Sequence, residues 1–141
     1  MRITLVLLLA ATAGFAAAPP PGTIQVTKTV WAAGPPTLPK GATMAVLEGD
    51  PRKEGIFTMR LKMPAGARIG PHWHPRQERV TVLSGEVRVG FGDTFDPAAM
   101  TRFTSGAFYV NPPLAHHFVT FPRETIIQIT GEGPWELNEV K

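Results

Sequence analysis

Along most of this chain apolar and polar residues alternate with a period of two, and proline or glycine breaks the alternation every few positions. Phe57, Met59, Leu61 and Met63 fall on one face of residues 56–63, the pattern of a half-buried strand. The methionines in that stripe read as core filler rather than as thioether ligands. Residues 42–48 read as the preceding strand, with a proline- and glycine-bearing turn at 49–55. Glu78, Val80 and Val82 share a face of residues 78–83. Beyond the tight turn at Ser84, Gly85 and Glu86, the residues Val87, Val89 and Phe91 alternate in turn, so the two runs are expected to pair as a hairpin. Asp93 and Asp96 read as formers of the next turn. Short strands follow at 100–103 and 108–110, and Pro112 and Pro113 end the second of them. Residues 117–121 and 125–130 return to the sheet, 131–134 form a closing turn, and 135–140 fold back along an edge. Ahead of all these, residues 18–22 are a stiff proline linker, 23–31 a first edge strand, and 35–41 a loop docked on the surface. The expected fold is all-β.

Composition narrows the picture. Among the 141 residues, 15 prolines and 14 glycines suit many short strands and argue against long helices. The first residues are a charged end, an apolar run and a small-residue exit at 13–18, the layout of an export signal at 1–18. Cleavage falls between Ala13 and Ala18, with Pro19 hindering a cut directly after Ala18. The apolar run is shorter than the ~20 residues of a membrane span, so stable membrane insertion after processing is not expected. Residues 19–41 are then an N-terminal linker and edge segment, and 42–141 the folded domain. The chain has no cysteine, which removes disulfides, thiolate metal sites and a lipidated N-terminal cysteine. The net charge of +3 includes no basic run, and this argues against a nucleic-acid partner.

The chemistry is concentrated in residues 66–85. His72 and His74 are two apart, so an extended backbone points both imidazoles the same way, with Trp73 on the opposite face. Pro71 and Pro75 bracket them and forbid a helix. Glu78 opens the next apolar face, where a carboxylate is costly to bury unless a cation meets it.

Gly66, His72, His74, Glu78 and Gly85 have the spacing of the first cupin signature, G(X)5HXH(X)3-4E(X)6G, and the chain resembles the cupin superfamily there. The stretch from Gly106 is similar to the second signature, G(X)5PXG(X)2H(X)3N. Gly106, Pro112 and His117 match, whereas Leu114 stands in place of the glycine and Phe121 in place of the asparagine. Those departures bear on the turn more than on the ligand. All 4 histidines of the chain lie in the two motifs.

The resemblance implies an antiparallel double-sheet jelly roll, the cupin β-barrel, holding one divalent transition metal on His72, His74, Glu78 and His117. His116 competes for the fourth position but should face away from the site, and Gln77 is a further fallback ligand. Three imidazoles and a carboxylate leave coordination positions open and suit several metals. Export favours copper or zinc, with manganese admissible and ferrous iron the least readily kept. The implied function is an exported metal-dependent oxidoreductase of the oxygenase or oxidase type, acting on a small, carbohydrate or phenolic substrate. A non-catalytic metal- or ligand-binding module, or a zinc or manganese isomerase or hydrolase, is the alternative. Cupins of this kind often pair, so a homodimer is expected.

Overall fold

The computed structural model describes residues 18–141, so the expected export signal lies, but for Ala18, outside the described residues. Among the described residues, eleven strands form two antiparallel sheets, with one short 3-10 turn between strands. The first sheet runs β1 (Ala32–Ala33), β2 (Thr43–Glu48), β3 (Gly55–Met63), β10 (Thr125–Gly133), β5 (Glu78–Ser84) and β8 (Phe108–Asn111). The second runs β11 (Asn138–Glu139), β4 (Ala67–Trp73), β9 (His117–Phe121), β6 (Glu86–Phe91) and β7 (Thr101–Thr104). The two sheets face each other in an all-β jelly roll.

The period-two stripes become the core. Phe57, Met59, Leu61 and Met63 of β3 are buried against Val80 and Val82 of β5 and Ile127 and Ile129 of β10, and the second sheet adds Val87, Val89, Val119 and Phe121. The two longest strands, β3 and β10, pair over their whole length, from Thr125 opposite Met63 to Gly133 opposite Gly55. This ladder is the backbone of the first sheet.

Three details differ from expectation. The run 23–31 does not pair, and the edge strand is the two-residue β1 that follows it. Ile24, Val26 and Val30 stay exposed, so that weak alternation had no apolar surface to cover. The segment expected to pair β5 with β6 as a hairpin instead passes the chain from one sheet to the other: β5 pairs with β10 and β8, and β6 with β9 and β7. Gly85 makes the crossing with φ 84°, and a side chain there would run into the Glu124 carbonyl. Both strands carry inward apolar faces, and in a two-sheet core such faces can meet across the sandwich as well as within one sheet. Finally, β10 continues through the glycines expected to close it, since Gly131 and Gly133 remain in register with Phe57 and Gly55.

Asp96 caps the 3-10 turn Pro97–Ala99 by accepting from the Ala98 N–H at 2.9 Å, in keeping with its reading as a turn residue. Among the described residues no helix is long and apolar enough to cross a membrane.

Candidate metal centre

The site forms where β4 and β9 pair with His72 opposite His117. A register irregularity between Ile69 and His72 carries the chain through Pro71, and His74 follows just past the strand end. The turn after Pro112 reaches across to hold it: the Leu114 N–H donates to the His74 carbonyl at 2.8 Å. Leu114 has φ 63°, so it adopts the left-handed conformation that the second signature assigns to glycine. The substitution keeps the turn and accepts its strain.

His72, His74 and His117 are all buried, and one ring nitrogen from each lies within 4.8 Å of the other two. Each Nδ1 is already committed to a backbone carbonyl. His72 Nδ1 donates to Gly70 O at 2.8 Å, His74 Nδ1 to Glu136 O at 2.6 Å, and His117 Nδ1 to Ala115 O at 2.9 Å. A carbonyl can only accept, so each ring carries its proton on Nδ1 and its lone pair on Nε2, where that of His117 faces the Asn111 amide. That is how a metal-binding histidine is oriented by its outer partner. Burial lowers the pKa of His72 to about 4, helped by the nearby His117 and opposed by the Gly70 carbonyl. Burial also lowers that of His117. Both imidazoles are therefore neutral at physiological pH and able to donate to a metal.

Glu78 stands beside this trio, with Oε2 3.5 Å from His74 Nε2. Its oxygens accept from two neutral groups, Oε2 from Asn111 Nδ2 at 2.8 Å and Oε1 from Trp135 Nε1 at 3.1 Å. Burial works against the ionised form, but the positive charge that His74 and His117 carry when protonated and the two hydrogen bonds outweigh it and hold Glu78 below the ordinary carboxylate value. The same Asn111 amide lies 3.1 Å from His117 Nε2, while its carbonyl oxygen is buried with no partner. Three buried imidazoles with their Nδ1 atoms committed to carbonyls, one buried carboxylate and an amide oxygen without a partner fit a divalent transition metal.

The structure thus brings His72, His74, Glu78 and His117 together and leaves the other two candidates out. His116 turns to the surface, where its Nδ1 meets Asp93 at 2.6 Å. Gln77 is half-buried and does not line the cavity beside the histidines. The sequence reading missed Asn111 and Trp135. A carboxamide at the inner end of an apolar strand was a usable signal for the first. Trp135 stacks on His74 with ring centroids 5.5 Å apart and planes at 21°, a contact between distant segments that no local pattern announces. Tyr109 also lines the cavity, and its burial, with Glu78 nearby, pushes the phenol well above its usual value, so it stays protonated.

A two-sheet jelly roll with inward histidines from two separated motifs defines a cupin. The chain matches the ChrR Cupin-like domain over residues 21–136 and belongs to that family of the cupin superfamily. It is 36% identical to Germin-like protein 3-1 of Oryza sativa subsp. japonica over 67 residues, which are 47% of this chain and 30% of the relative, so it spans under a third of that protein's length. The polyketide cyclase RemF from Streptomyces resistomycificus has a similar structure, with TM-score 0.64, 17% identity and 84% of each chain covered. An oxalate oxidase structure matches with TM-score 0.55 and 21% identity over 77% of this chain and 60% of that one. At these identities the two structures show a shared fold.

Proposed function

We propose that this chain is an exported metal-dependent cupin that acts as an oxidoreductase of the oxygenase or oxidase type on a small organic substrate. The observation that carries the reading is the set of three buried imidazoles whose Nδ1 protons are all committed to carbonyls, beside a buried carboxylate that no lysine or arginine among the described residues meets. His72, His74 and His117 hold the metal and Glu78 is the fourth donor. When bound, the metal supplies a Lewis-acid or redox centre with open positions. The chain's own groups do the rest. The Gly70, Ala115 and Glu136 carbonyls fix the ring orientations, Asn111 and Trp135 hold the Glu78 carboxylate in place, and the apolar lining excludes bulk water. Copper or zinc is the expected occupant after export, and manganese is admissible. The oxalate oxidase and the germin-like relative are precedents for what such a scaffold can carry.

The cavity beside the histidines has a volume of only ≈ 30 Å³, and this favours as a second reading a non-catalytic module that holds a metal or a very small ligand. Protein purified from the exported fraction separates the two. Metal analysis, electron paramagnetic resonance and oxygen consumption with a panel of reductants should show a redox-active ion and oxygen uptake. Zinc as the bound ion, with no oxygen consumed under any reductant, would remove the oxidoreductase reading.

A further inference from the structure

The three histidines are sealed from solvent, and the ≈ 30 Å³ cavity beside them has room for about one water-sized group. A substrate of more than a few atoms must therefore reach the metal through a wall. On one side that wall is Trp135 and Leu137, from the C-terminal strap that ends in β11, with Leu38 from the loop ahead of β2. Immediately outside it lies a groove of ≈ 420 Å³ whose apolar walls are Pro35, Met44, Pro51 and the outer sides of Trp135 and Leu137. Trp135 and Leu137 thus line both the inner cavity and the outer groove.

The two residues are held very differently. Trp135 is pinned by its indole N–H on Glu78, by its stacking on His74 and by its backbone N–H on the Pro51 carbonyl at 2.6 Å. Leu137 has a side chain that no hydrogen bond restrains and is only partly buried, on a strap whose ladder to β4 is two residues long. It can turn aside without breaking a polar contact.

The groove's chemistry indicates what it takes. Its volume lies in the range of small-molecule sites, and prolines, a thioether and an indole suit a flat apolar ring. Thr37, Arg52 and Glu136 also border the groove, but its wall is mainly apolar, whereas a sugar would need partners for many hydroxyls.

We propose that Leu137 is the gate between the metal cavity and this outer groove, and that the groove receives a small aromatic molecule. The proposal rests on the metal-centre reading and deepens it by naming the route and the substrate class.

The test uses the metal-loaded mature protein and three probes: 4-nitrocatechol, whose colour reports binding at a metal, azide as a ligand small enough for the inner cavity, and glucose as a sugar. Leu137→Ala should speed 4-nitrocatechol association about tenfold, and Leu137→Phe should slow it, while azide binding stays within about twofold. Met44→Trp, which fills the groove from the far wall, should weaken 4-nitrocatechol about tenfold and leave azide unchanged. Equal 4-nitrocatechol rates in wild type, Leu137→Ala and Leu137→Phe, or displacement of 4-nitrocatechol by glucose, would overturn the gate and its ligand class. Metal content is measured first, so a protein that takes up no metal refutes the centre itself, whereas one that loads metal and binds azide with no response to groove variants refutes only the gate.

Discussion

Two buried carboxylates, Glu78 at the start of β5 and Glu86 at the start of β6, are 6% and 2% exposed and sit in opposite electrostatic settings. Glu86 accepts from Arg88 at 2.8 Å and Arg102 at 2.9 Å, with Arg123 at 3.7 Å. The hydrogen bonds from Arg88 and Arg102 hold its pKa down. The chain itself supplies that charge its cations, and the result is a fastened corner where the chain passes between sheets. Glu78 meets two neutral donors and, beyond them, the imidazoles of His72 and His117, which burial pushes toward the uncharged form. Its missing positive charge has to come from outside. A buried carboxylate completed by the chain is architecture; one left short of a cation marks a site.

The comparison breaks most decisively at the histidines. His72→Ala or His74→Ala should abolish stoichiometric metal uptake. Each should also lose the stabilisation that metal gives the wild type, about 2.7 kcal/mol at a metal concentration a hundredfold above Kd, read as a metal-dependent melting shift. Unchanged metal content in both variants would refute the assignment.

Glutamine at the two carboxylates sharpens the contrast. Glu78→Gln should weaken metal binding by about 10–100-fold, because it removes the carboxylate donor beside the imidazoles. Glu86→Gln should do the reverse, lowering the metal-free melting temperature and leaving metal affinity unchanged. Matching effects of the two variants would erase the distinction.

Acid separates the regions as well. His72 has a folded pKa of about 4 against 6.5 for an ordinary histidine, so between those values the unfolded chain binds the proton and the native state does not. Metal-free stability must then fall as the pH drops from 6.5 toward 4, by on the order of 3 kcal/mol. Glu86 has a lowered pKa, so its contribution is present above 4.5 and is lost only as pH falls through its lower native value. Denaturant titrations of metal-free protein should show an upper step that His72→Phe reduces, the remainder belonging to His117, and a lower one that Glu86→Gln reduces. An upper step undiminished in His72→Phe would contradict the assignment.

How much of this was legible depended on how local the signal was. The β3 stripe, the Glu78 face and the paired imidazoles are written in neighbouring residues, where strand periodicity alone sets the direction of a side chain. The partnering of β5 was not, because Val80 and Val87 would be buried equally well within one sheet or across two. The choice was made by Gly85 and by Thr125, whose hydroxyl binds the Glu86 backbone from 39 residues away. Asn111 and Trp135 were hidden for the same reason, since their roles exist only once β8 and the C-terminal strap have docked. Strand alternation told only that at most one of His116 and His117 enters the site, since adjacent residues take opposite faces; which one does depends on the fold of the turn before them.

The smallest effects concern the second motif. His116→Ala should leave metal affinity unchanged, since its imidazole meets Asp93 at the surface. Leu114→Gly should raise the melting temperature slightly, because glycine relieves a left-handed leucine worth roughly 1 kcal/mol and removes a side chain that is 61% exposed. A drop in its melting temperature would mean that the Leu114 side chain contributes contacts that outweigh the strain.

Anomalous diffraction from metal-loaded crystals tests the central claim most directly. The expected result is one strong peak within about 2.0–2.2 Å of Nε2 of His72, His74 and His117, on the side facing Glu78. A peak on His116 and Asp93, or no peak among the three buried imidazoles in fully loaded protein, would contradict it.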